Sequence, residues 1–199
     1  MAQRDSRGPL AAPGADLRTD VPLYRVYREG ALTEERPDVL GIWRDDLVAF
    51  LLGCSFTFED ALQDAGMPIR HLQRQSNVSA YITNRMCEPA GPFAGPMVVS
   101  MRPFARADVA RVADITARYP FAHGAPLHAG DPEALGIRDL AHPEYGDAVP
   151  IEPGEVPVFW ACGVTPQAVA ERARLPFMIS HAPGHMFLTD LTVEALTAR

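Results

Sequence analysis

The chain has 199 residues, 47% apolar and 22% charged, with 25 acidic side chains against 18 basic ones and a formal net charge of −7. These proportions describe an ordinary globular protein and exclude a general nucleic-acid surface, which needs clustered positive charge to grip phosphates. All 18 basic residues are arginine, and without lysine there can be no Schiff base, no covalently held pyridoxal phosphate and no Walker-type phosphate loop.

The three cysteines, Cys54, Cys87 and Cys162, are far apart and form no C-x-x-C pair, so neither a disulfide framework nor a zinc ribbon is expected. No run approaches the roughly 20 apolar residues of a spanning helix. The expectation is therefore a cytoplasmic protein with no membrane or nucleic-acid partner and no cofactor, and self-association into a homo-oligomer stays open.

Residues 1 to about 20, with Pro9, Pro13 and Gly14, read as a mobile lead-in. Tyr24 to Tyr27 alternates as a short strand and meets a turn at Glu29-Gly30. Asp45 to Leu52, with acids in its first turn, reads as a helix ending at Gly53. Ser55 or Thr57 can cap a second helix, Phe58 to Ala65, closed by Gly66 and Pro68, which makes Gly53-Cys54-Ser55 a tight corner.

Gly91 to Pro96 is a loop, and Met97 to Met101 has the apolar density of a buried strand. A helix over Arg106 to about Arg118, with Val109, Val112, Ala113 and Thr116 on one face, and a strand near Ala125 to His128 follow. Asp131 caps a helical start with Pro132 in its first turn, and Pro150 to Pro157 is linker-like. Last come a strand, Val156 to Ala161, and a helix with Thr165 as its cap and Pro166 in its first turn. Strands alternating with helices favour an α/β fold with a mostly parallel or mixed sheet. The proline-rich turns near 76–96 and 143–157 suggest a smaller α+β insert at 76–149 within a main layer of 21–75 and 150–199.

Cys162 ends a strand beside a helix start, where the dipole and free N–H groups favour a thiolate. It reads either as a nucleophile or as a small residue packed under Trp160. Under both readings the N–H groups of Gly163 to Thr165 offer an oxyanion site. His181 and His185 are four apart, but Pro183 and Gly184 between them rule out a helical metal pair, so one histidine acting as acid or base is favoured over a metal site. Asn84-Arg85 and Arg102 place guanidinium groups where they could hold a carboxylate bidentately or form surface ion pairs. His123 and His128, five apart, would face opposite sides of a strand, so at most one of them shares a site. No G-x-G-x-x-G or G-x-S-x-G pattern is present.

Gly53-Cys54-Ser55-Phe56-Thr57-Phe58-Glu59, Asn84 to Pro103, His123-Gly124-Ala125-Pro126, Phe159 to Pro166 and His181-Ala182-Pro183-Gly184-His185 together resemble the D-glutamate cyclase-like family of hydro-lyases. The resemblance runs from about Leu10 to Leu191. It implies a three-layer α/β/α sandwich with a mixed sheet and a smaller inserted two-layer α+β domain. It also implies a further segment ahead of the part matching Ala11 to Asp16, which this chain does not carry.

The implied activity is that of a carbon–oxygen lyase joining the amine of D-glutamate to its own side-chain carboxyl, which yields 5-oxo-D-proline and water, or the reverse. On that implication His181, His185 and Cys162 are the catalytic candidates, and Asn84, Arg85, Arg102, Gly163 and Thr165 the substrate-binding ones. A hydro-lyase acting on another small carboxylic acid, or a non-catalytic small-acid binder, would use the same groups.

Overall fold

The computed structural model describes residues 2–3 and 12–197. Strands β1 (Ala2–Gln3), β2 (Tyr24–Arg28), β3 (Ala31–Arg36) and β4 (Ala49–Phe50) come first, then helices α1 (Glu59–Asp64) and α2 (Arg70–Gln73). Next are β5 (Ser79–Met86), β6 (Pro96–Ala105), α3 (Val109–Thr116), β7 (His128–Ala129) and β8 (Glu155–Ala161), and last α4 (Val164–Arg172) and β9 (Met178–His181). The fold is mixed α/β. Among the described residues every strand pairing is antiparallel, not the parallel or mixed arrangement expected from the alternation of elements. No helix among them is long and apolar enough to cross a membrane.

The chain divides into two units, Met1–Leu52 with Val169–Ala195, and Gly53–Ala168 with Leu196–Arg199. The division falls at Gly53 and Ala168 rather than at 76 and 149, because β8 pairs with β6 along its whole length and joins the segments around it into one body.

In the first unit the strand order is β3-β2-β9. The β2–β3 turn is made by Glu29 (φ 51) and Gly30 (φ 77), and a Cβ on Gly30 would lie 2.5 Å from the Glu171 carbonyl oxygen, so only glycine fits there. Val21, Tyr24, Val26 and Val39 form the core, with Ile42, Trp43, Phe177, Ile179 and Phe187 packed against it. The Tyr24 hydroxyl donates to Leu17 O (2.9 Å) and accepts from Val21 N (3.0 Å). Arg18 grips Asp16, while Ala12 and Leu17 are buried. Residues 12–20 are thus tied down by hydrogen bonds, contrary to the expected lead-in, whose residues 1 and 4–11 lie outside the described ones.

The helix expected over Asp45 to Leu52 does not form. Leu47, Ala49 and Leu51 are half-buried while Val48, Phe50 and Leu52 are exposed, the two-residue period of extended chain, and Ala49–Phe50 pairs with β1.

In the second unit the order is β5-β6-β8-β7. Alternation along β6 and β8 sends Val99, Met101 and Phe159 to one face, where Tyr81, Leu135, Ile137 and Val149 complete a core. The other face presents Ser100, Arg102, Phe104, Val158 and Trp160, all buried. Phe58 at the start of α1 packs on Trp160 at 5.5 Å between ring centroids, and Thr116 of α3 accepts a hydrogen bond from the Trp160 ring nitrogen (3.2 Å). The expected caps are realised unevenly. Asp131 accepts from Glu133 N (3.0 Å), but neither Ser55 nor Thr165 caps a helix, because each hydroxyl is used elsewhere.

Candidate active site

Three turns of the second unit converge. The first is the Gly53-Cys54 corner entering the helical turn Ser55–Phe58. The second is His123, which ends the turn Pro120–Ala122 in left-handed backbone (φ 76). The third is Cys162-Gly163, between β8 and α4. A Cβ on Gly53 would lie 1.7 Å from the Phe121 carbonyl oxygen, so only glycine lets the first corner touch the second. A Cβ on Gly163 would stand 3.8 Å from the Gly53 carbonyl oxygen and 4.0 Å from His123 Nε2, ordinary contact distances, so the third corner lies directly against the first and second.

The third corner is stitched to the sheet. Val98 O accepts from Cys162 N (3.0 Å) and from the Thr165 hydroxyl (3.1 Å), while Val98 N donates to that same hydroxyl (3.0 Å). Thr165 N is committed to Cys162 O (3.0 Å), and the N–H groups of Gly163 and Val164 are directed at the Cys162 sulfur. The Cys54 sulfur receives the N–H groups of Phe56 and Ser55 in the same way.

Burial nevertheless outweighs these amides and the nearby Arg102 charge, so the Cys162 and Cys54 thiols are both pushed above their usual range, and Cys54 further raises Cys162. This reverses the thiolate expected at Cys162. Burial first, and the Arg102 charge second, push His123 down, so that it is neutral near pH 7. The cluster therefore holds two protonated thiols and one unprotonated imidazole, two proton donors and an acceptor.

Arg102 lies within β6, not at a strand end, and is only 1% exposed. Its Nε donates to Glu59 Oε1 (2.7 Å), and Nη2 donates to the same oxygen and to Ser55 Oγ (3.0 Å). Its Nη1 donates to Ser100 Oγ (3.2 Å), and the guanidinium carbon lies 5.4 Å from the Phe58 ring centre and 5.6 Å from that of Trp160. His71 Nε2 stands 3.4 Å from Glu59 Oε1. Burial raises the Glu59 carboxyl, but His71 and Arg102 together outweigh it and leave Glu59 below its ordinary range. The carboxylate that Arg102 grips is thus one of the protein's own.

Of the residues singled out in the sequence, Cys162, Gly163, Thr165 and Arg102 are brought into this one region. Asn84 and Arg85 are exposed on β5, the edge strand, with the Asn84 side chain packed against Gly136. His181 and His185 belong to the first unit, where Nδ1 of His181 donates to Ala182 O (2.7 Å) and Nδ1 of His185 to Pro183 O (2.9 Å). Sequence reasoning assigned Cys54, Ser55, Glu59 and His71 to no site, reading Ser55 only as a helix cap, and allowed at most one of His123 and His128 to share a site. The available signals were the Gly53-to-Glu59 block and the pairing of His123 with Gly124.

The sequence model described as D-glutamate cyclase matches residues 48–190, which span all three corners. A Rubrobacter xylanophilus protein named "Putative hydro-lyase" is 64% identical over 179 residues, 90% of this chain and 69% of the relative. Proteins so named from Geobacillus kaustophilus and Pseudomonas syringae are 59% and 62% identical, covering 94% and 96% of this chain and 71% and 73% of their own lengths. The chain belongs to the D-glutamate cyclase family, and by that membership it is a carbon–oxygen lyase of the hydro-lyase kind.

Proposed function

We propose that the chain interconverts D-glutamate and 5-oxo-D-proline plus water, at the meeting point of the Gly53-Cys54, His123 and Cys162-Gly163 turns. The observation that carries this reading is the convergence of two protonated thiols, a neutral imidazole and paired backbone N–H groups in one half-buried place. The reaction is a transfer of protons. Closing the lactam takes two protons from the substrate ammonium and delivers them to a carboxylate oxygen, which departs as water.

Five-membered ring closure already brings nitrogen and carbon together at high effective concentration, so the site must hold the bent conformer and supply acids and bases near neutral pH. The Gly163 and Val164 amides are held by the Cys162 sulfur, and a protonated thiol is suited to the departing oxygen. Arg102, although paired with Glu59, adds positive potential at His123.

Incubating the purified chain with D-glutamate and separating the products by chiral chromatography tests the reading. Formation of 5-oxo-D-proline at a rate reduced at least about 100-fold in Cys162→Ala supports it. Conversion of another small hydroxy or amino acid, with D-glutamate untouched, would replace the substrate while keeping the hydro-lyase.

A further inference from the structure

We propose that His123 is the catalytic base that removes the proton from the substrate nitrogen, and that Cys54 and Cys162 return it to the departing oxygen. This rests on the cyclase reading above.

His123 Nε2 is buried and has no hydrogen-bond partner among the described residues, and the Gly53 backbone, which hydrogen-bonds the imidazole, raises it less than burial and Arg102 lower it. The other histidines of this unit are engaged. His71 Nε2 is likewise buried without a hydrogen-bond partner among the described residues but faces the Glu59 carboxylate at 3.4 Å, whereas His128 Nε2 donates to Asp131 O (2.7 Å) and His142 Nδ1 meets Asp139 (2.7 Å). A buried polar atom left without a partner is costly, and in a native protein such an atom calls for a functional explanation. The backbone points the same way, since His123 holds left-handed geometry (φ 76), a strained state for a residue with a Cβ. That geometry is maintained by Ala122 N and Gly124 N, both donating to Tyr119 O (2.9 Å each), and by the close seat of Gly53 on Phe121. Gly163 lies against the ring, where a Cβ would stand 4.0 Å from Nε2, so the base sits beside the Cys162-Gly163 corner.

Of the charged and titratable groups, Arg102 from β6 bears on the ring, with Glu59 behind it, while Cys54 and Cys162 adjoin Gly53 and Gly163, the glycines that meet the His123 turn. Arg102 and burial keep the imidazole unprotonated, and burial keeps the thiols protonated, so each group waits in the state that its task requires.

The step balances. The substrate ammonium first passes one proton to its own side-chain carboxylate; the neutral amine then attacks the protonated carboxyl, and the C–N bond forms as the carbonyl π bond opens onto oxygen. His123 takes a proton from nitrogen. A thiol gives one to the hydroxyl as the C–O bond breaks and the carbonyl re-forms. The imidazolium then reprotonates the thiolate, leaving lactam, water and the starting site, with no oxidant, reductant or nucleotide consumed.

The test uses the full chain and His123→Asn, because asparagine tolerates left-handed backbone better than most residues. His128→Asn serves as control. The expected result is a kcat at least about 100-fold lower in His123→Asn with KM within a few-fold, loss of the acid limb of the kcat/KM profile, and an unchanged rate in His128→Asn. If the unaltered chain turns D-glutamate over and His123→Asn retains its rate and profile, His123 is not the base, although the cyclase reading stands.

If the unaltered chain makes no product, the cyclase reading fails. Titrating 5-oxo-D-proline into ring-labelled protein then decides for His123. A shifted His123 ring signal that is absent in His123→Asn keeps the residue in the binding site, and an unmoved signal removes it.

Discussion

Glu59 Oε1 accepts from both Nε and Nη2 of Arg102, so a single carboxylate oxygen from α1 neutralises a guanidinium buried in the middle of β6. The contact joins helix to sheet directly beneath the corner that carries Cys54. Removing one partner of such a pair leaves a bare charge in the interior, at a typical cost of about 3–5 kcal/mol. Glu59→Gln should lower unfolding stability by an amount of that order in urea titration. The double variant Glu59→Met/Arg102→Met should recover much of the loss, since no charge is then stranded. A Glu59→Gln variant as stable as the parent would show that the pair contributes nothing net.

Gly53 and Gly163 make opposite predictions although both lie in the cluster. A methyl on Gly53 meets the Phe121 carbonyl oxygen at 1.7 Å and must displace backbone, so Gly53→Ala should lose at least about 1–3 kcal/mol and much of its activity. A methyl on Gly163 finds ordinary contact distances of 3.8 and 4.0 Å, so Gly163→Ala should melt within a few degrees of the parent while turning over more slowly. Thermal melts paired with steady-state rates separate the two.

Stability should peak between pH 6.5 and 9 and fall on both sides. His123 has its folded value below the ordinary 6.5, so on acidification the unfolded chain takes up this proton first, and the stabilisation present above 6.5 is lost as pH falls through the folded value. Glu59, held below its ordinary 4.5, adds a second loss further down. Cys54 and Cys162 lie above their ordinary 9.0, so their contribution is complete below pH 9 and is lost as pH rises past it. Urea midpoints across this range test the shape. His123→Asn should flatten the acid shoulder that begins below 6.5.

Thiol chemistry offers an independent check. Alkylation proceeds through the thiolate. Cys54 and Cys162 should therefore react with iodoacetamide more slowly than free cysteine at pH 7.5, and accelerate only as pH passes 9. Peptide mapping after timed quenching reads each site separately. Fast labelling of Cys162 at neutral pH would mean that the backbone amides, not burial, dominate there.

The elements legible in the sequence are those with short-range signals. The strand at Tyr24 to Tyr27 alternates from Tyr24 to Val26, the strand before Cys162 has a continuous apolar run, and the turn at Asp131-Pro132 has both its cap and its proline. Asp45 to Leu52 misled because acids at a first turn imitate a helix start, whereas the pairing of Ala49–Phe50 with β1, which makes the segment extended, lies more than forty residues away in the chain. The Cys162 corner could be anticipated for the same reason as its strand. Its companions could not, since Cys54 and His123 meet it only through β6–β8 pairing and the glycine contact at Gly53. Arg102 was read as a ligand-facing cation because Glu59, which claims it, is forty-three positions away.

The double hydrogen bond between Val98 and Thr165 has one further consequence. Both polar groups of one residue in the central strand of the four-stranded sheet are engaged by the segment that carries Cys162, so this part of the strand cannot open locally without releasing that segment as well. The sheet and the chemistry therefore melt as a single cooperative unit, and a half-opened protein that still works is not available to this chain.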